Sequence, residues 1–520
     1  MNIKHFMEAV PATGGLKANG VLNLLGRPQM HPLILLVRES FQNSWDQRLV
    51  GEEAPVYSVN GFELRGHRLE SLKKIFNLDA TSQLPLLDLS LDRDAINVVE
   101  IRDERTRGLD GPTRADQGNT GNYARFVLEI GRERSEADLA TGGTYGFGKG
   151  SYFRLSRANT ILIHSRCVND TGEIETRFVG ISLGNGFTSN GRSFTGRHFF
   201  GDIDGEGLIR PLLNSDADAL AQLLGFGVSE GSTGTSILIV DFDPGVDESS
   251  EESSVPSQIT LRQAMECFRD QIVWQCWPRI FQLDDKPGVE VQVMYEGDEL
   301  HLPRKDANPI LRGLAETYQL ALKNEGVALG LERPRLEIGC FATTEILVNS
   351  SSGLPTDGLL GFVPPTHHVA MLRAPRLVVH YFEGPRVAQS DVGWVGTFVA
   401  SNDERVERAL AKSEPPSHDA WDYANLQGEA KRIAKRVSVQ LKQQLQQKFR
   451  PSPEVLGEQL PLVRIAGTLG SILAMSGFSG TDIAIPTTTP GGSGGTNGKA
   501  KVFEPTSITT VKDVRHGWVF

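Results

Sequence analysis

Apolar positions along this chain follow two periods, and each period predicts its own kind of element. Leu33, Ile34, Leu35, Leu36 and Val37 form a continuous run behind Pro32. Proline suits a first helical turn, where its missing N–H has no intrahelical partner. Leu64, Leu69, Leu72, Ile75 and Phe76 predict a helix over 63–77, and a second is expected over 212–224. Residues 95–101, 160–164, 176–182 and 234–242 read as strands, with a Gly- and Asp-rich insertion over 184–207. Further along, 261–281 predicts an amphipathic helix that Pro278 ends or kinks early. Strands over 289–295 and 300–302 turn at Glu296-Gly297-Asp298, and 310–322 reads as a helix. Residues 336–341, 368–372, 376–382 and 392–399 read as strands. Ile433, Val437, Leu441, Leu445 and Phe449 recur every four residues and predict a long helix over 429–450. Residues 460–475 suggest one more apolar helix.

Antiparallel strands mixed with helices make α+β the expected fold class. At 520 residues the chain exceeds what one core supports. Residues 243–257 are acidic and Ser-rich with Pro244 and Pro256 near their ends, and read as a linker. The expected organisation is therefore 1–242, a linker at 243–257, a second domain over 258–428, a helical region over 429–475, a flexible linker over 476–500 and a tail over 501–520. Net charge is −11, which argues against nucleic acid covering the whole surface. Lys431, Arg432, Lys435, Arg436, Lys442, Lys448 and Arg450 still crowd the long helix, opposed there only by Glu429. A local nucleic-acid or acidic-partner surface and an ordinary solvated face are both open. No run of roughly 18 apolar residues suggests a membrane span, and no signal-peptide pattern opens the sequence. Cys167, Cys267, Cys276 and Cys340 are scattered without metal-ligand spacing, as expected of reduced thiols in a cytoplasmic protein.

Two stretches carry candidate chemistry. Glu39, Asn43 and Asp46 lie at i, i+4 and i+7, which on a helix puts all three on one face. Charged groups beside a buried segment are rarely buried unless paired or bound to a metal. A solvated face backed by Phe41 and Trp45 is the plainer reading. Five glycines, Gly142, Gly143, Gly146, Gly148 and Gly150, then lie close to Lys149 and Ser151. Glycine lets the backbone approach a ligand, and successive free N–H groups make an anion nest. Gly143, Gly148 and Lys149 fit the P-loop spacing as far as the lysine. Gly150 stands where its Ser or Thr should be and no clear strand precedes it, so that reading is rejected.

Together these stretches resemble the GHKL ATPase superfamily, in the branch that includes Hsp90, MORC and MutL proteins. Glu39, Asn43 and Asp46 resemble its N box. Gly143, Gly146, Gly148, Lys149, Gly150 and Ser151 resemble its second glycine box. Asp103, delivered by an apolar strand and followed by Gly108-Leu109, resembles the first glycine box. There Arg105 stands where the family has its first glycine, and Gly108 comes one position late. Gly234-Thr235 resembles the late strand whose threonine sits near the adenine aspartate. The resemblance implies a Bergerat-type α/β sandwich followed by a ribosomal S5-like transducer domain and a C-terminal helical region. It implies ATP and Mg²⁺ as cofactors, with Asn43 holding the metal, Asp103 meeting adenine, Glu39 activating water and the glycine loop covering the phosphates. A basic residue of the second domain would reach the γ-phosphate, with Arg373, Arg376 and Lys412 as candidates. Residues 104–142, rich in Gly, Arg, Asp and Glu, fit a mobile lid over nucleotide by position and composition, and fit an ordinary surface loop nearly as well.

The expected function is a slow, Mg²⁺-dependent ATPase used as a conformational switch, with nucleotide-gated homodimerisation. The mixed character of the motifs, with the odd insertion and the basic helix, raises the expectation of a protein partner in a multigene system such as bacterial phage defence. A non-hydrolysing nucleotide sensor or interaction module is the alternative, favoured by the altered first glycine box and opposed by Glu39. A histidine kinase is disfavoured, because about forty residues before Glu39 leave no room for a phospho-acceptor helix pair.

Overall fold

A computed structural model describes residues 3–12, 30–49, 51, 53–76, 83–116, 121–129, 148–247, 257–283, 288–348, 353–356, 359–387, 391–414 and 421–449, and short strands at 511–513 and 517–519. The chain divides into two compact units, Met1–Val455 and Leu456–Phe520. The expected helix over 460–475 and the linker over 476–500 lie outside the described residues.

Elements of the larger unit follow in chain order. β1 is Lys4–Ala9, α1 is Pro32–Asp46, β2 is Val56–Arg65, α2 is Gly66–Phe76, α3 is Pro85–Leu91 and β3 is Ala95–Glu104. A π-helical turn covers Ala124–Leu128, and α4 is Gly148–Arg154. Next come β4 (Thr160–Val168), β5 (Ile174–Leu183), β6 (Phe187–Ser189), β7 (Arg192–Ile203), β8 (Ile209–Arg210), β9 (Leu212–Leu213), α5 (Asn214–Leu224) and β10 (Gly234–Ile239). β11 (Val246–Asp247) pairs with β12 (Ser257–Gln258), so the acidic stretch leaves and returns at one place. The rest is α6 (Leu261–Ile280), β13 (Glu290–Tyr295), β14 (Asp298–Glu299), α7 (Pro309–Leu322), β15 (Val327–Glu332), β16 (Arg335–Leu347), β17 (His368–Leu372), β18 (Val378–Glu383), β19 (Val392–Ala400), α8 (Glu404–Ser413) and α9 (Gly428–Phe449). In the smaller unit, β20 (Val511–Asp513) and β21 (Gly517–Val519) form a hairpin.

The first sheet runs β1-β7-β5-β4-β10-β3-β2-β13-β14. Its central strands read as unbroken apolar runs because both faces are covered. Ile161 and Ile163 point into a cluster with α1, α4 and α6, and Leu162 into a cluster with α2, α3 and α5. Val99 and Ile101 divide from Ile96 and Val98 in the same way. The second sheet runs β15-β16-β19-β17-β18. α7 and the end of α6 cover one face, α8 and α9 the other. The described architecture is thus mixed α+β with two mixed sheets. No described helix is long and apolar enough to cross a membrane.

Several expectations change. β2 takes residues 63–65, so the helix expected there begins at Gly66. The stretch 184–207 is a β6–β7 hairpin, and β7 lies between β1 and β5. Residues 243–257 do not divide the two sheets, because β13 pairs in parallel with β2 and extends the first one. α8 had no counterpart in the expected elements. The stripe of α9 is buried, and many of its cations serve packing. Arg432 donates to the Arg333 carbonyl, Arg436 to the Gly330 carbonyl and Lys448 to Thr343. The Gln440 amide oxygen accepts the Gly330 N–H, so α9 covers part of the β15 edge.

α6 departs most from expectation. Ala264, Met265, Phe268, Ile272 and Cys276 pack in the cluster of the first sheet, and Val273, Trp274 and Trp277 in that of the second. It is buried nearly all round over its second half rather than amphipathic. Pro278 does not end it early. Proline has no N–H for the carbonyl four residues back, which belongs to Trp274. The Tyr381 hydroxyl on β18 donates to that carbonyl at 2.5 Å. Tyr381→Phe should therefore lower stability by about 1–2 kcal/mol, the cost of an unsatisfied carbonyl. Adding Pro278→Ala should recover most of the loss, read as denaturant midpoints of the single and double variants.

Candidate functional site

One lateral row crosses the first sheet near the ends of its central strands. Tyr57 of β2 lies opposite Asp103 of β3, Asp103 opposite Thr235 of β10, Thr235 opposite Ser165 of β4, and Ser165 opposite Arg177 of β5. Parity puts these side chains on the face of Val99, Ile101, Ile161 and Ile163, beneath α1. The apolar face ends in a polar row, and the row is bonded throughout.

Asp103 is its centre. Oδ1 accepts the Thr106 hydroxyl at 2.5 Å and the Thr235 N–H at 3.0 Å. Oδ2 accepts the Ser44 hydroxyl of α1 at 3.3 Å. Burial raises the pKa to about 6 in spite of these donors, with a smaller push from Glu104. The loop after β3 is then seated by both backbone atoms of Leu109. Its N–H donates to the Ser165 hydroxyl and its carbonyl accepts from Arg177, each at 2.8 Å. Gly108 precedes it at φ +66, where a Cβ would lie 2.5 Å from the Arg166 carbonyl oxygen. No other residue fits there without moving backbone. Arg105 has φ +58. It keeps the left-handed conformation at roughly 1–2 kcal/mol. Its side chain donates to the Ala54 carbonyl at 2.9 Å and to Glu290 at 3.0 Å.

On α1, Glu39 is buried, and Asn43 and Asp46 are half-buried. The Ser40 hydroxyl donates to the Leu36 carbonyl at 2.6 Å and meets the Tyr57 hydroxyl at 2.7 Å. Burial pushes the phenol of Tyr152 on α4 well up, with Tyr57, Asp103 and Glu39 close by. α1 and the polar row are thus joined through hydroxyls. The Ser151 hydroxyl is buried without a hydrogen bond among the described residues. Gly148 and Gly150 lie in the first turn of α4. Gly143 and Gly146 lie outside the described residues.

Lys149 is placed differently from a residue waiting in a phosphate site. Its ammonium donates to the carbonyls of Arg125 at 3.0 Å, Phe126 at 3.1 Å and Glu129. A lysine has three protons to give, and all three are taken. Burial first, then the neighbouring Arg197, lowers its pKa to about 7. Arg197 caps the same turn through the Val127 and Leu128 carbonyls at 3.2 and 3.0 Å, and pairs with Glu8 of β1 at 2.8 Å. The lid expected over 104–142 is described only at 104–116 and 121–129, and both pieces are ordered by such contacts.

The basic candidates of the second sheet need correction. Arg373 is buried between Glu407 at 2.8 Å and Glu414 at 2.5 Å, with the Trp421 indole N–H on Glu414. Breaking a buried pair costs about 3–5 kcal/mol, so Arg373 does not suit a γ-phosphate contact. Arg376, at φ +62, donates to the Ala400 carbonyl and to Asn402. It lines a cavity of about 450 Å³ with Arg335 and Arg405, and no residue of α1 or β3 lines that cavity. Lys412 is exposed near the end of α8.

For a magnesium ion, the oxygen donors of Glu39, Asn43 and Asp46 are of the right kind. No group of three or more His, Cys, Asp or Glu able to hold a metal occurs among the described residues. Mg²⁺ would fit here only with phosphate and water completing its shell. Ser40, Ser44, Tyr57, Thr106, Tyr152, Ser165 and Arg177 were absent from the sequence expectations. Counting in twos along β4 from Ile161 and Ile163 would have reached Ser165, and counting in fours along α1 would have paired Ser40 with Ser44. No protein-family model matches the sequence, and no curated protein matches it.

Asp103 makes a pH signature. Its folded pKa of about 6 lies above the 3.8 of an exposed aspartate. Between these values the folded state holds more protons than the unfolded one, so stability falls as pH rises through that window. The fall is on the order of 2 kcal/mol after allowance for partial exposure. Asp103→Asn should remove that part of the pH dependence, measured as unfolding midpoints from pH 3.5 to 7.

Proposed function

We propose that the first sheet and α1 form an ATP site and that the chain hydrolyses ATP to ADP and phosphate. The observation that carries this reading is Asp103. A carboxylate with a raised pKa sits in a row of donors, under the helix that bears Glu39 and Asn43. Oδ1 already accepts two hydrogen bonds, while Oδ2 accepts one long one. Oδ2 therefore retains capacity for a donor such as the exocyclic amine of adenine. Thr106, Thr235 and Ser44 hold the carboxylate in place.

Glu39 is the general base in this reading. It takes the proton of the attacking water, a role typically worth about 10²–10⁴-fold. Asn43 supplies an oxygen ligand for Mg²⁺, which when bound spreads the charge that develops on the phosphates. The glycine-rich stretch would cover the phosphates, as the resemblance implies. Nucleotide-gated homodimerisation, a cytoplasmic location and a partner in a multigene defence system belong to the same proposal and rest on the resemblance. Nucleic acid is a further proposed partner, supported by Lys435 and Lys442, which are exposed on α9.

One observation favours the non-hydrolysing alternative. The three protons of Lys149 are taken by carbonyls, so phosphate binding must first displace them. Steady-state ATP hydrolysis with Mg²⁺, together with nucleotide binding, separates the readings. Wild type should turn over slowly. Glu39→Ala should bind ATP within about threefold of wild type and lose at least about 10²-fold in turnover. Binding without turnover, unchanged by Glu39→Ala, would make the chain a nucleotide-dependent binding module. Absence of ATP binding would remove the site.

A further inference from the structure

α1 carries the proposed base, and the second sheet holds it from another side. Arg38 immediately precedes Glu39. Its guanidinium donates to the Val379 carbonyl of β18 at 2.7 Å and to the Gln275 side chain of α6 at 3.2 Å. β18 is the last strand of the second sheet, so its outer carbonyls are acceptors without a strand partner. Further along α1, Trp45 lies between two guanidinium groups. Arg48 is 3.9 Å from the ring centroid and Arg279 is 4.0 Å from it. Arg279 comes from the last turn of α6 and is 1% exposed. Its Nε donates to the Pro375 carbonyl at 2.9 Å, in the turn between β17 and β18. The β17–β18 hairpin therefore reaches α1 at Arg38 directly and at Trp45 through Arg279.

Positions 38 and 45 are seven apart, about 10.5 Å along the axis and on one face. Glu39 and Asn43 lie between them on the neighbouring face. A single anchor would leave a helix free to roll about the contact. Two anchors on one face, at either end of this interval, fix both its rotation and its axial position. Apolar side chains would satisfy packing alone, whereas burying a guanidinium carries a desolvation cost that a simple packing contact avoids. The rest of α1 is in fact packed by apolar residues, Leu33, Leu36, Val37 and Phe41.

We propose that Arg38 and Arg279 are positioning residues that lock α1 to the β17–β18 hairpin, so that the second sheet sets the placement of Glu39 and Asn43. The catalytic consequence rests on the ATPase reading above. The lock itself does not. A misplacement of about 1 Å can cost roughly 10²-fold in rate, while adenine recognition at Asp103 depends mainly on β3 and β10. Loss of the lock should therefore show in turnover more than in affinity.

The test uses the full chain with Arg38→Gln, Arg279→Met and the milder Arg38→Lys. Turnover, equilibrium ATP binding and amide hydrogen exchange over 32–46 are measured for each. The expected result is a roughly 10–100-fold fall in kcat for Arg38→Gln and Arg279→Met. ATP affinity should stay within about threefold, exchange should quicken over 32–46 with β3 and β10 still protected, and Arg38→Lys should recover part of the rate. Unchanged kcat with unchanged exchange over 32–46 would overturn the lock. So would a parallel loss of kcat, affinity and protection across the whole first sheet, which would make the arginines merely structural. If Arg279→Met does not fold, Arg38→Lys against Arg38→Gln decides by the same readouts. If wild type binds no ATP, the ATPase reading falls, and exchange over 32–46 in the folded variants still accepts or rejects the lock.

Discussion

Two sheets in this protein each bury both faces, and one helix supplies part of the cover for both. α6 gives Met265, Phe268 and Ile272 to the first sheet and Val273, Trp274 and Trp277 to the second. Over its second half this helix has no solvent face for polar groups, so its backbone and its charged residues there must be satisfied by neighbours. The Trp274 carbonyl, to which Pro278 can offer no N–H, takes the Tyr381 hydroxyl. Arg279 takes the Pro375 carbonyl and the Trp45 ring. Asp270, fully buried, takes the Thr356 N–H and hydroxyl and the neighbouring Arg269. Apart from the Arg269 pair, each of these contacts ties α6 to a segment distant in sequence.

The candidate site uses the same constraint on a smaller scale. Where the apolar face of the first sheet ends, a row of polar side chains begins, and every member must find a partner under α1. Tyr57, Ser40, Ser44, Thr106, Thr235 and Ser165 provide those partners for one another and for Asp103. The network orients the carboxylate but does not offset its desolvation, because its pKa remains raised. Asp103 is thus a group that makes the folded state less stable at neutral pH while suiting it to accept a donor, a combination that functional sites show more often than plain scaffolds.

The nearby loops show how much conformation a residue pattern can conceal. Arg105 adopts the left-handed backbone that a glycine would adopt there, and its side chain is held by Ala54 and Glu290. Tertiary contacts there offset the strain of a left-handed residue other than glycine. Lys149 shows the converse. A lysine among glycines reads as an anion ligand, yet in the fold it caps a turn some twenty residues earlier in the chain. Nothing in the local pattern distinguishes these uses.

Periodicity along the chain was enough to place most helices and strands, because an apolar stripe of period four or a β-branched run has few alternatives. Spacing also placed Glu39, Asn43 and Asp46 on one helix face. Residues 184–207 and the end of the amphipathic pattern in α6 were misread, since glycines in a hairpin resemble a loop and a proline in a buried helix resembles a stop. Only the tertiary structure decided which strands adjoin, that β13 belongs with β2, and that Tyr57, Asp103, Thr235 and Ser165 share one row. Only it assigned Arg373 to two glutamates and Arg38 to β18. The reason is physical. Helix and strand identity follow from interactions within a few residues, whereas strand order and the partner of a long cationic side chain depend on groups brought together from tens to hundreds of residues away.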